Sequence, residues 1–184
     1  MVFRYYGYPN VNPAGRYQFG IIGLTAGPNS ICYYDCSQCI IPAGSYENFN
    51  YMLRSYPALV KQYVNPNVSL LDFKHLYREL QFDEIKYYID NKSPIIAGIS
   101  PSGYVRGSIS QHVTVIQGYM QDSTGNYALV NDPFPYQNTG YFRNPNIYCE
   151  QGAIKSLGSM YLLLYSKFVQ SLNYHESYYD FKKL

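Results

Sequence analysis

The stretch SQHVTVIQGYMQDSTGNYALVNDPFPY, residues 110–136, reads as a β-hairpin. In a strand successive side chains point to opposite faces, so His112, Thr114 and Ile116 share one face while Val113, Val115 and Gln117 share the other. Asp122-Ser-Thr-Gly-Asn carries turn chemistry, and Tyr127-Ala-Leu-Val forms the returning strand. A turn centred near residues 122 and 123 sets residue 112 opposite about residue 133, which brings Asn131 and Asp132 beside His112. A carboxylate or amide next to an imidazole fixes its tautomer and orientation, the supporting half of a nucleophile–base–orienter triad. A histidine bonded to a strand-end carboxylate for stability alone would leave the same pattern.

Outward from the hairpin, the chain divides by character. Residues 1–6 read as a short apolar helix stopped at Gly7, followed by a turn-rich loop from Pro9 to Gly15. Gln18 to Leu24 suits a short strand or buried segment, and the loop beyond it holds Cys32, Cys36 and Cys39. Phe49, Met52, Leu53, Tyr56, Leu59, Val60 and Tyr63 recur at helical spacing, with Pro57 marking a break or kink. Ser69 is read as a cap that opens a helical turn, and a further helix runs from Phe82 to Ile89. His75 falls on that helical stretch and, like His175, suits a surface or packing role. Beyond Lys92-Ser-Pro the runs become β-rich: Ile95 to Ile99, His112 to Tyr119, Tyr127 to Val130, with further strands expected around Ile147–Cys149 and Tyr161–Tyr165. Helices first and antiparallel strands second define an α+β class, not a repeating βα unit.

Composition narrows the function. The 184 residues suffice for one domain with a sizeable core. Fourteen basic against twelve acidic residues give a net charge of +2 with no long basic cluster, so nucleic acid and anionic membranes are not indicated as partners. No apolar run approaches the roughly 20 residues of a spanning helix, and Met1-Val-Phe-Arg-Tyr-Tyr-Gly does not read as an export signal. The 24 tyrosines, against no tryptophan, suit half-wet packing and polar-rimmed grooves.

Three segments in order, Lys-Ser-Pro-Ile-Ile-Ala-Gly-Ile-Ser-Pro (92–101), Gln-His-Val-Thr-Val-Ile-Gln-Gly-Tyr (111–119) and Leu-Val-Asn-Asp-Pro (129–133), resemble papain-like cysteine peptidases of the bacteriocin-leader-peptidase-like group. The resemblance implies an α+β, papain-like fold over residues 1–184. Its helical lobe would span residues 1–91 and its antiparallel β lobe residues 92–184, with a peptide-binding cleft. It also implies that His112 is the general base, that Asp132 orients it and that Asn131 is the neighbouring substitute. No cofactor and no metal are implied, and the partner is a peptide or protein substrate.

In such an enzyme the nucleophile is a thiolate at a helix N-terminus, where the helix dipole and an imidazolium lower the thiol pKa. Cys32, Cys36 and Cys39 run into Pro42 and Gly44, and Cys149 follows the histidine in a strand-like setting. The family's nucleophilic helix reads approximately Cys-Trp-Ala-Ala … Met-Val-x-x-Tyr-Tyr-Gly, and Met1-Val-Phe-Arg-Tyr-Tyr-Gly7 resembles its tail. The expectation is therefore that the nucleophile, and any export signal, lie upstream of Met1 and that this chain is an inactive cysteine peptidase. The alternative is a catalytically dead papain-like fold that serves as a peptide-binding or structural module. The Cys-x-x-x-Cys-x-x-Cys spacing also matches the site of a four-iron cluster, but the succession of βα units such enzymes need is missing. Zinc, with Cys149 or His112 as fourth ligand, and disulfides in an exported protein are the remaining readings of the cysteines.

Overall fold

The computed structural model describes residues 1–9, 11, 21, 24–27, 31–35, 46–101, 112–132, 138–139, 142–143, 146–156 and 158–184. The loop from residue 12 to 15, most of the 18–24 segment, Gln111, and both Cys36 and Cys39 lie outside them. The chain falls into two compact units, Met1–Asp72 with Lys182–Leu184, and Phe73–Phe181.

The first unit holds helices α1 (Val2–Tyr5), α2 (Ile31–Tyr34) and α3 (Tyr46–Tyr63). Helix α1 stops where Gly7 takes φ +83, a left-handed conformation that glycine adopts without steric cost. Helix α3 runs through Pro57 as a single helix, one of the two forms the spacing allowed. A proline there costs the helix about 3 kcal/mol. Burial of Leu53, Tyr56 and Val60 along one stripe offsets it. Phe3 packs on Tyr56 and Tyr8 with ring centroids 4.6 and 5.6 Å away, and the Tyr8 hydroxyl donates to the carbonyl of Ser69.

Strands β1 (Leu71–Leu76), β2 (Ile95–Ile99), β3 (His112–Asp122), β4 (Gly125–Asn131), β7 (Ile154–Lys155), β8 (Met160–Leu164) and β9 (Glu176–Lys183) form a sheet of order β1-β9-β2-β3-β4-β8-β7. All of it but Leu71, Asp72, Lys182 and Lys183 lies in the second unit. The pairings from β9 across to β7 are antiparallel. A separate ribbon joins β5 (Asn138–Thr139) to β6 (Phe142–Arg143). Three helices complete the unit: α4 (Phe82–Asp90), α5 (Ile147–Glu150) and α6 (Tyr165–Gln170). The α+β class with an antiparallel sheet thus agrees with the sequence.

Two assignments require correction. Residues 71–76 form a strand, not the start of a helix: Leu71 and Phe73 are buried and Asp72 and Lys74 exposed, a period of two that overrides the cap signal of Ser69. His75 therefore sits on β1, and its Nε2 lies 3.0 Å from Glu176 Oε1 in a nearly buried ion pair. Residues 147–150 form a short helix, not a strand. Asn146 caps it by accepting from the backbone N–H groups of Tyr148 and Cys149 at 3.1 Å.

One face of the central strands is the core. Ile95, Ala97 and Ile99 of β2, Ile116 of β3 and Ala128 and Val130 of β4 meet Ile85 of α4 and Phe168 of α6, all fully buried. The β3–β4 hairpin closes on a two-residue loop at Ser123 and Thr124, and the pairing from Asp122–Gly125 to Gly118–Leu129 keeps one register. Beyond it the register shifts: Ile116 pairs with Val130 and Val115 with Asn131, leaving Gln117 as the extra residue of a β-bulge.

Gly118 follows the bulge where a Cβ would stand 3.1 Å from Leu129 Cδ2 and 3.3 Å from Leu129 Cβ. Gly118→Ala should therefore lower stability by about 1–3 kcal/mol, read as a fall in the urea midpoint. An unchanged midpoint would show that Leu129 yields freely. Helix α4 starts with the Glu84 carboxylate accepting from Gln81 N–H at 2.7 Å and pairing with Arg78 at 2.8 Å, and Arg78 holds the Glu84 carboxyl below its ordinary pKa. A depressed carboxyl contributes stability that is complete above its unfolded-state pKa and is lost as pH falls through the folded value. Glu84→Gln should accordingly cost about 1 kcal/mol at neutral pH and nothing below the folded pKa, in urea titrations run across the acid range.

Candidate functional site

His112 and Asp132 meet at the end of the core face. His112 opens β3 opposite Ile99, and Asp132 follows β4, its backbone N–H donating to the carbonyl of Ser159 at 2.9 Å. Imidazole Nε2 lies 2.8 Å from both Asp132 Oδ1 and Oδ2. The carboxylate is fully buried while the histidine side chain keeps 25% of its surface exposed, so the imidazole is accessible and its partner is not.

The bulge at Gln117 decides which residue reaches the histidine. In the outer register, even-numbered residues of β3 face odd-numbered residues of β4, which would carry Asn131 to the His112 face. The extra residue reverses that parity. Ile116 then shares a face with Val130, and His112 and Thr114 share it with Asp132. Asn131 lies on the opposite face, where its Oδ1 accepts from Ser159 Oγ at 2.6 Å and its amide approaches Gln117 Oε1 at 3.5 Å. Of the three residues singled out in the sequence, His112 and Asp132 come together and Asn131 does not join them.

A residue the sequence did not reveal completes the cluster. Tyr148 of α5, fully buried, donates its hydroxyl to Asp132 Oδ2 at 2.8 Å. Its ring stacks on Tyr161 of β8 at 4.6 Å and 12°, and Asn146 donates to the Tyr161 hydroxyl at 3.0 Å. The available signal was Asn146 after a proline, a helix-start pattern; a four-residue helix is too short for periodicity to register.

Cys149 is an exposed free thiol within α5, and Cys32 lies in the four-residue α2. Among the described residues no group of three or more His, Cys, Asp and Glu side chains is arranged to hold a metal, and no helix is long and apolar enough to cross a membrane. His75 offers a parallel, since Glu176 Oε1 also accepts from the Tyr178 hydroxyl at 2.9 Å. However, the His75 ring is packed against Tyr77 and Tyr178 and keeps only 11% of its side-chain surface exposed.

The family described as Peptidase_C39 like matches residues 40–156, well over half the chain, a span that contains His112, Asp132 and Tyr148 and begins after Cys39. No curated protein matches the chain.

The two asparagine-loop neighbours should differ sharply on truncation. Asp132→Ala removes the buried acceptor of the Tyr148 hydroxyl and the partner of His112, and should cost about 2–3 kcal/mol. Asn131→Ala removes bonds at a wetter position and should cost no more than about 1 kcal/mol. Urea unfolding of both variants checks the ranking, and equal losses would place Asn131 in the same network as the acid.

Proposed function

The chain belongs to the Peptidase_C39 like family, and from that premise we propose that it carries the base and orienting acid of a papain-like cysteine-peptidase site. His112 is the general base and Asp132 its orienter. The observation that carries this reading is the contact of both buried Asp132 oxygens with His112 Nε2 at 2.8 Å, beside a partly exposed ring. A sheet-based α+β unit of the kind described is compatible with a papain-like fold.

In the proposed reaction a thiolate attacks the carbonyl carbon of a peptide bond, forming the S–C bond. Collapse of the tetrahedral intermediate breaks the C–N bond, and the imidazolium of His112 protonates the leaving amine. His112 then takes a proton from water as the water attacks the thioester, releasing the carboxylate product and the thiol. The buried Asp132 holds the ring in one tautomer throughout and stabilises the imidazolium.

The thiol itself is where the second reading, a peptide-binding module without turnover, draws support. A low-pKa nucleophile of this type belongs at the head of a substantial helix. Helix α3 is preceded by Ser45 and α4 by Gln81, and the helices holding Cys32 and Cys149 have four residues each. In the sequence Cys32, Cys36 and Cys39 run into Pro42 and Gly44, and our proposal is that none of Cys32, Cys36, Cys39 and Cys149 is the nucleophile, and that the 184-residue chain does not hydrolyse peptides on its own.

The base can be tested separately from the thiol. An activated peptide ester is offered to the chain together with a small-molecule thiol, and acyl transfer is followed in the chain and in His112→Ala. The expected result is no turnover without added thiol and, with it, a rate roughly tenfold or more above that of His112→Ala. Equal rates would overturn the base assignment. Peptide hydrolysis lost on changing Cys32, Cys36 or Cys39 to Ser would instead overturn the exclusion of those thiols.

A further inference from the structure

We infer that Tyr148 is a positioning residue of this site: its buried hydroxyl holds the Asp132 carboxylate in one orientation and thereby fixes the tautomer of His112. The inference rests on the reading of His112 and Asp132 as base and orienter, and it assigns a role to a third residue.

Asp132 is fully buried, and an ionised carboxylate without water requires hydrogen-bond donors to offset its desolvation. One donor is the imidazole, which in catalysis must change protonation state and move slightly toward the reacting group. A carboxylate held by that ring alone would follow it. Tyr148 supplies a donor from a different element, at 2.8 Å to Oδ2. A phenol keeps its proton through the range in which an imidazole titrates, so this bond persists while His112 gains or loses charge.

The tyrosine is itself held at two points. Asn146 caps the helix that carries it, and Tyr161 stacks on its ring from a core strand, with the Tyr161 hydroxyl bonded back to Asn146. The phenol ring is thus fixed from the helix cap and from a core strand, independently of its bond to the acid, which is what a positioning element requires. A buried tyrosine serving packing alone needs its hydroxyl satisfied somewhere, but not by the acid of the base.

The experiment reads the imidazole directly, with or without peptidase activity. Chain labelled with 15N in histidine is examined by NMR at a pH where His112 is neutral, for the ratio of Nε2–H to Nδ1–H tautomers and for the exchange rate of the Nε2 proton. The unaltered chain should show one tautomer, Nε2–H, in slow exchange. Tyr148→Phe, which keeps the ring, should show a second tautomer and exchange about fivefold or more faster. Tyr161→Phe removes a neighbouring hydroxyl but leaves the bond to Asp132, and should match the unaltered chain. Asp132→Asn should abolish the tautomer preference.

If Tyr148→Phe matches the unaltered chain while Asp132→Asn does not, the positioning role is wrong and the reading of His112 with Asp132 survives. If Asp132→Asn also leaves the imidazole unchanged, that reading fails as well. Equal changes in Tyr148→Phe and Tyr161→Phe would mean general loosening of the core and would overturn the specific role.

Discussion

One extra residue in one strand governs the site. The sheet buries one face of β3 and β4 against helices, so each strand's parity is fixed by its apolar side chains: Ile116 and Val130 must both point inward. The two-residue loop at Ser123 and Thr124 sets one register, and the bulge at Gln117 sets another, one residue removed. Only in the second do His112, Thr114 and Ile116 share a face with Val130 and Asp132. The acid at the histidine is thus a consequence of hydrophobic burial and a local register change acting together, with Gly118 allowing the strands to approach closely at that point.

That dependence explains what the sequence disclosed and what it did not. Strands β2, β3 and β4 and helix α4 were legible, because each carries its own periodicity and turn signals. The approach of Asn131 and Asp132 to His112 was legible to within a residue, since a hairpin of roughly known centre places both near it. Which of the two turns toward the ring was not, because a bulge leaves no mark in the alternation of His-Val-Thr-Val-Ile-Gln-Gly-Tyr. Residues 71–76 were misjudged for a different reason: Ser69 offers a helix cap, and that local signal competes with the alternation of Leu-Asp-Phe-Lys, which burial against β9 decides. Tyr148 was hidden by the shortness of its helix and by its distance in sequence from both residues it serves.

The second unit contains two clusters of the same composition, each a histidine, a carboxylate and a tyrosine. At His75 the rings of Tyr77 and Tyr178 enclose the imidazole, and the ion pair with Glu176 ties β1 to β9. At His112 the carboxylate and tyrosine are the buried members and the imidazole is the accessible one. The same three side chains therefore serve cohesion in one place and form the proposed site in the other, and exposure of the imidazole is the physical difference between them. A match to a peptidase family over residues 40–156 covers both halves of the second pair.

The central claim is that strand register selects Asp132, and not its neighbour, as the partner of His112. It is tested most directly by exchanging the two residues in one chain, Asn131→Asp with Asp132→Asn, and solving its crystal structure. The account predicts that the new aspartate stays on the far face near Ser159 and that an amide, not a carboxylate, meets His112 Nε2. A structure in which the carboxylate at 131 returns to the imidazole would contradict it, because the register would then follow the charge pair and not the bulge.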